Sequence, residues 1–411
     1  MSKIIVAIDS FKGCLTSIEA NRAAVEGILA RMPEAEVLPI PVSDGGEGWL
    51  EAFRSPTPTC TPSRMGIRSP LWGRSHTGGY SKDPSRPNRE GVIVEVDVRD
   101  PLMRHITASY LVLGDMAVIE MAKASGLTLL SEEERNPMIA TSYGTGQLVA
   151  DAVRRGCRHI IVGLGGSATS DCGIGMLRAI IDNFAKHGSW DDVHELDAVH
   201  ITIATDVTNP LCGEDGAAYV FAPQKFAVQR ELDDTDSNFT EHQQNRAKLT
   251  IACPEKIQLL DARAKRFAEV SARHFGYDCQ NEPGAGAAGG LGYAFLQYMN
   301  AERRSGIDLL LDTIGFDRLL DSVSLVITGE GASDRQTLMG KVPYGILQRA
   351  KAHQVPVALI AGRIEDRQEL LHAGFSKVLC INPPDLPAEE SMKPETAKRN
   401  IFDTMQLLTF S

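Results

Sequence analysis

At 411 residues the chain exceeds the ~100–200 residues of one ordinary domain, so two domains are expected. Its 43% hydrophobic and 23% charged residues are a globular composition that excludes disorder along the whole length. Lys+Arg number 42 against 53 Asp+Glu, a net charge of −11 that excludes a general nucleic-acid binder and leaves anion binding to local backbone N–H groups and a few cations.

In chain order, Ile4–Ile8 is a continuous β-branched run, the mark of a strand buried on both faces. A helix is predicted over Ser17–Arg31, with Thr16 or Ser17 as N-cap and Pro33 ending it. Val37–Val42 reads as a strand that Pro39 and Pro41 place near an edge, and Gly48–Phe53 as a helix. Ser55–Glu90 is rich in Pro, Ser, Arg and Gly and is expected to be an irregular, peripheral excursion open to proteolysis. Strands follow at Val92–Val98 and Thr107–Leu113, and Val118–Leu130 is apolar without a clear period. Gly146–Arg155 and Ile174–Phe184 read as helices, Ile160–Val162 and Ile201–Thr205 as strands. Asp233–Gln244 is expected to be a solvated loop before an amphipathic helix over Pro254–Phe275. Leu291–Arg303 reads as a helix, Ser324–Thr328 a strand, Val342–Ala352 a helix, Pro356–Ala361 a strand, Asp366–Ala373 a helix and Val378–Ile381 a strand.

The outer segments therefore give five short strands separated by helices, the pattern of an α/β doubly wound parallel sheet. The expected domains are 1–90 with 284–411, interrupted by an inserted α/β unit over 91–283. The eight cysteines show no C-x-x-C pair and read as reduced thiols. The first apolar run is too short for a signal peptide and no stretch approaches the ~20 residues of a membrane span, so a cytoplasmic protein without membrane or nucleic-acid partners is expected.

In open parallel sheets, ligands bind beyond the carboxyl ends of the strands. Polar motifs follow the strands here at Asp9-Ser10-Phe11-Lys12-Gly13, Ser43–Gly48, Gly163–Asp171, Asp206–Pro210, Gly329–Asp334 and Gly362-Arg363. Their number on two units predicts facing surfaces with a cleft between them. Gly163–Asp171 precedes a helix, and phosphate suits its glycines and free N–H groups; a tight strand–helix turn is the alternative. Gly45 and Gly46 belong to a similar turn. Gly284–Gly289 matches G-x-G-x-x-G by letter but follows no apolar strand, so a dinucleotide fingerprint, a glycine-rich helix start facing a ligand and simple close packing all remain open.

Asp9, Asp44, Asp171, Asp206, Glu330 and Asp334 all fall in these motifs. Each is a candidate turn former, yet converging carboxylates repel unless base chemistry or a cation requires them, and Mg2+ is the ion that prefers oxygen and accompanies phosphates. Lys12 and Lys341 are candidate phosphate partners. There is no Walker A motif, zinc-hydrolase histidine pair or G-x-S-x-G elbow. A two-domain α/β phosphotransferase is the reading these residues support.

At the same motifs the chain resembles the bacterial glycerate kinase family. The blocks are Asp9–Gly13, Asp44–Gly48, Asp100-Pro101-Leu102, Ala117–Gly126, Asn136-Pro137, Tyr143–Gly146 and Gly165–Asp171. Asn209–Gly213, Pro223-Gln224-Lys225, Pro283–Gly292, Thr328–Gly331, Asp334 with Gln336-Thr337-Leu338, Gly340–Pro343 and Ala361-Gly362 follow in family order. The resemblance implies ATP- and Mg2+-dependent phosphorylation of D-glycerate to 2-phosphoglycerate, and two α/β domains, one flavodoxin-like and discontinuous. A homodimer is the assembly entertained. The chain departs from the family pattern with Ala332 where Arg commonly follows Gly-Glu-Gly, and with Ser170 and Cys172 flanking Asp171; Arg335 and Arg363 are the candidates to supply the missing cation.

The site expected is therefore Asp171 as base with Asp44 as runner-up, and Lys12 and Lys341 on phosphate or carboxylate oxygens. Asp9, Ser10, Gly45, Gly46, Gly165, Gly166, Ser167, Thr169, Gly329 and Gly331 would hold substrate or phosphate, and Glu330 or Asp334 the metal. A nicotinamide-dependent hydroxy-acid oxidoreductase and a non-catalytic binding regulator are the competing functions.

Overall fold

The computed structural model describes residues 2–46, 48–54, 91–227 and 253–408; the expectations for Ser55–Glu90 and Asp233–Gln244 lie outside the described residues. Eleven strands are described: β1 (Lys3–Ile8), β2 (Glu36–Pro39), β3 (Val92–Arg99), β4 (His105–Leu113), β5 (Met116–Glu120), β6 (His159–Gly163), β7 (His200–Ala204), β8 (Glu302–Arg304), β9 (Val323–Ser333), β10 (Val357–Ile364) and β11 (Lys377–Cys380). They form two sheets in two compact units.

The first unit holds the described residues up to Asp44, then 48–54, Gly91 and everything from Ser305 onward. Its five strands lie in the order β11-β10-β9-β1-β2, every pair parallel. Counted by its own strands, this is the flavodoxin-like order 2-1-3-4-5. Ile4, Ile5, Val6, Ala7 and Ile8 are all fully buried, which is why β1 reads as an unbroken apolar run. β2 is the edge strand, where Pro39 removes no needed ladder bond.

The helix Ser17–Arg31 begins at a Thr16–Glu19 capping box and buries Ala20, Ala24, Val25 and Ile28. It packs on Pro394–Leu407, a helix that the chain-order reading does not mark, which buries Ala397, Ile401 and Met405. At the end of β1, Ser17 Oγ donates to Ile8 O at 2.6 Å and Asn21 Nδ2 to the same oxygen at 2.9 Å, while Val42 N donates to Ser17 Oγ at 3.0 Å. These buried bonds fix the chain where it leaves β1 for Asp9.

The second unit comprises Gly45 and Gly46 with Val92–Arg304. Its six-stranded sheet runs β3-β4-β5-β6-β7-β8, with β3–β4 and β4–β5 antiparallel and the remaining pairs parallel. The apolar stretch at Val118–Leu130 resolves into the end of β5, a short helix at Ala122–Ser125 and a 3₁₀ turn at Leu127–Leu129. The core gathers Tyr110, Ile119, Leu148, Val162, Met176, Ile180, Ile203 and Phe295.

Four expectations change. The helix read at Leu291–Arg303 starts where expected, after Ala288, Gly289 and Gly290 in left-handed conformations, but it ends at Met299 on Asn300 (φ 48°) and gives way to β8 at Glu302. The second crossing between units falls at Ser305 and not at 284, because Ala287, Leu291, Ala294 and Phe295 are buried in the second core and β8 pairs with β7. The strand read at Ser324–Thr328 continues to Ser333, so Gly329, Glu330 and Gly331 are strand residues and not a loop. The strand read at Pro356–Ala361 likewise runs on to Ile364, taking in Gly362 and Arg363. No helix among the described residues is long and apolar enough to cross a membrane.

Candidate active site

The first unit's sheet reverses its order between β1 and β9, the switch point where such sheets leave room for a ligand. Asp9 follows β1 directly, and its N–H donates to Gly329 O at 2.9 Å. Its side chain, with the residue only 8% exposed, accepts from Ser10 N at 2.7 Å. Burial pushes the Asp9 carboxyl up to about 8; the charges of Asp44 and Glu330 add to this, against the Ser10 bond and Lys12. Lys12 itself is exposed and has no ion pair among the described residues.

Glu330 is also buried, at 8% exposed, with Oε1 accepting from Thr337 Oγ1 at 2.6 Å and Ser333 Oγ at 3.0 Å. Burial still raises its carboxyl above the ordinary glutamate range. Lys341 Nζ stands 3.7 Å from Glu330 Oε2 and 4.0 Å from Asp334 Oδ1. Asp334 caps the 3₁₀ turn Arg335–Met339 through Gln336 N at 2.7 Å.

Glu330 and Asp334 are the two residues expected to hold the metal. The ammonium of Lys341 already lies against both, and two hydroxyls occupy the other Glu330 oxygen. Among the described residues no three His, Cys, Asp or Glu side chains form a group able to hold a metal ion. Gly329 serves the sheet: a Cβ there would lie 2.4 Å from Ile360 O on β10. At Gly331 the same construction meets Phe11 Cα at 3.5 Å, ordinary contact.

Of the two arginines that stand in for a cation at 332, Arg335 is held by Glu369 through two guanidinium bonds. Arg363 lies directly opposite Ala332 in the parallel register of β10 and β9, on the same face, with Glu365 Oε1 at 3.5 Å.

In the second unit, β6 leads into Gly165–Asp171 and the helix Ile174–Phe184. Gly165 N donates to Gly45 O at 3.2 Å, and a Cβ on Gly165 would lie 2.6 Å from Gly46 Cα, so the two glycine turns touch as only glycines can. Among the described residues the backbone N–H groups of Gly166, Ser167, Thr169 and Ser170 donate to no acceptor. Ser170 Oγ is buried without a partner. A cavity of about 650 Å³ opens beside this loop, lined in part by Met138, Ile139, Asp171, Ile174, Arg178 and Arg263.

Asp171 is shaped differently from the expected base. Its Oδ2 accepts from Ser142 N at 2.8 Å, Ser142 Oγ at 2.9 Å, Gly175 N at 3.1 Å and Thr141 Oγ1 at 3.4 Å, and its Oδ1 from Gly173 N at 3.1 Å. A carboxylate so filled ties the loop to the start of two helices and has little room for a substrate proton.

Lys225 is the residue that sequence reasoning did not single out as part of the site. It ends the 3₁₀ turn Pro223–Lys225, is 4% exposed, and donates from Nζ to Ser167 Oγ at 2.8 Å and Thr169 O at 2.6 Å. Nothing in its sequence neighbourhood marks it as buried; its place in the Pro-Gln-Lys block was the one available signal.

Gly284–Gly289 follows no strand, and its glycines serve close packing: a Cβ on Gly286 would lie 2.3 Å from Pro210 O, and one on Gly289 2.0 Å from Thr169 O. The seven described cysteines are all free.

Fold and site thus define an α/β protein whose strand-end motifs gather carboxylates and a lysine on one unit and unpaired N–H groups on the other, the makings of a phosphotransferase. The model of the glycerate kinase family matches residues 4–72, 86–253 and 251–409. A glycerate kinase of Bacillus subtilis is 34% identical over 412 residues, covering 95% of this chain and 93% of the relative. A glycerate 2-kinase of Escherichia coli is 33% identical over 400 residues, covering 92% and 90%. The crystal structure of a putative glycerate kinase 2 from Salmonella typhimurium superimposes with a TM-score of 0.69 at 32% identity, covering 99% of this chain and 97% of that one. The chain is a kinase, and it belongs to the glycerate kinase family.

Proposed function

We propose that the chain transfers the γ-phosphoryl group of ATP to the 2-hydroxyl of D-glycerate, giving 2-phosphoglycerate and ADP. The observation that carries this reading at the site is the acidic set at the β1–β9 switch point, Asp9 with Asp44 and Glu330 beside it, faced by Lys12 and Lys341. The hydroxyl oxygen attacks the γ-phosphorus, the bond to the ADP oxygen breaks, and the hydroxyl proton passes to a carboxylate. Asp171 is filled by loop donors, and burial pushes the Asp9 carboxyl up, so Asp44 is the carboxylate assigned as acceptor. Lys341 and Lys12 neutralise charge on phosphate or carboxylate oxygens, and the N–H groups of Gly166–Ser170 cradle phosphate. The cavity beside that loop has the volume of a nucleotide-sized site. Mg2+ enters as part of the substrate, chelated by the ATP phosphates.

A coupled assay for ADP release with D-glycerate and a panel of hydroxy acids tests this, with phosphorus NMR of the product to locate the phosphate. Asp44→Asn should lower kcat by ~10²–10⁴-fold, the general-base range. NAD(P)H absorbance changes without ADP release would instead favour the oxidoreductase, and tight nucleotide binding without turnover the regulator. A cytoplasmic location and a homodimer belong to the same reading, checked by cell fractionation and sedimentation.

A further inference from the structure

We propose that Lys225 is the positioning residue of the second unit's phosphate cradle: its buried ammonium holds Gly165–Asp171 in shape and supplies the charge that draws the nucleotide's phosphates. The proposal rests on the kinase reading above.

Both acceptors of Nζ lie on the loop itself, Ser167 Oγ at 2.8 Å and Thr169 O at 2.6 Å, while Lys225 arrives from a turn far along the chain. An ammonium has three N–H donors, and these two bonds leave the third unused. Above the lysine, the N–H groups of Gly166, Ser167, Thr169 and Ser170 find no acceptor among the described residues, and Ser170 Oγ is buried without one. Every unsatisfied group here is a hydrogen-bond donor or a hydroxyl, and the ammonium bonded to the loop is positive, while the Asp171 carboxylate nearby is taken up by five donors of its own. An anion with several oxygens satisfies them together; a lysine needed only to brace the core would not require a loop of idle donors around it. Burial pulls the Lys225 ammonium down to about 7, against the favourable charge of Asp171, so an anion on the loop would strengthen the charged form. Phosphate suits the donor set better than a single carboxylate, which offers two oxygens to so many N–H groups.

The test is calorimetric titration of Mg–ADP into the full chain and its Lys225→Met variant, which keeps the length and apolar stem but removes the amine. Steady-state KM values for ATP and D-glycerate are measured alongside. ADP affinity and KM for ATP should weaken by about tenfold or more, the scale of a lost charge-assisted contact, while KM for D-glycerate moves by less than about threefold. Unchanged ADP affinity in a folded Lys225→Met chain, or a shift confined to KM for D-glycerate, overturns the assignment. If that variant does not fold, Ser167→Ala removes one of the two anchors; it should weaken ADP binding by about threefold, and no change there also overturns it. Wild-type chain that binds ADP but never releases it from ATP with D-glycerate defeats the kinase reading alone, and the fall in ADP affinity then still decides the role of Lys225.

Discussion

Asp9 directly follows β1 and Asp171 closes the loop between β6 and the helix Ile174–Phe184, and the structure gives them opposite burdens. Asp171 satisfies five donors, which tie its loop to the starts of two helices. Asp171→Asn turns an amide N–H toward those donors and should cost about 2–4 kcal/mol, read as a lower denaturation midpoint. A variant with wild-type stability and kcat reduced by ~10²–10⁴-fold would restore the base role to Asp171. Asp9 instead carries a penalty. Its folded pKa, about 8, lies above the ordinary carboxyl value, so the folded state binds more protons than the unfolded one across that interval. The penalty is absent below ~4, grows with pH by up to about 1.4 kcal/mol per unit, and is complete above about 8. Asp9→Asn should therefore raise Tm over wild type at pH 8.5 and change it little at pH 4; parallel Tm–pH curves for the two chains would contradict this. The clustering of such a costly group beside Asp44, Glu330 and Lys12 is itself what a functional site looks like.

Some elements meet here through glycines. The helices Ser17–Arg31 and Pro394–Leu407 approach so closely that a Cβ on Gly27 would lie 2.6 Å from Phe402 O and 2.8 Å from Met405 Cβ. Gln406 Nε2 bonds Gly27 O at 3.0 Å across the same contact. Gly27→Ala should force the helices apart and cost about 1–3 kcal/mol of stability, even though alanine is the better helix former. A denaturant midpoint equal to or above wild type would show that the pair can part without loss. β9 illustrates the converse of periodicity: its glycine-rich end looks like a loop by composition, but pairing with β10 through Ser333 keeps it extended and delivers Glu330 on a rigid strand.

At the scale of the molecule, the chain leaves its first sheet after β2, builds a second, and returns at Ser305 to complete the first with β9, β10 and β11. Ligand linkage gives a test at this scale. If the chain binds Mg–ADP, the complex at ~100-fold over its dissociation constant should stabilise the native state by about 2.7 kcal/mol and raise Tm measurably. NAD+ at the same concentration should leave Tm unchanged. The reverse pattern would return the nicotinamide reading to favour.

The sequence by itself determined the elements whose signals are local. Ile4–Ile8 announces a doubly buried strand, Thr16 and Glu19 set the start of a helix, and five strand–helix alternations specify a parallel sheet with ligand motifs at its carboxyl ends. It also carried the family, because many weak motifs fall in one order along the chain. What it left open depends on partners distant in sequence. Glu302–Arg304 is a strand because β7 offers an edge, and Lys225 is buried because a loop some sixty residues earlier lies over it. Asp171 and Asp44 look alike as letters; only tertiary structure shows that donors from Ser142, Gly173 and Gly175 converge on Asp171 and make it a loop-shaping carboxylate.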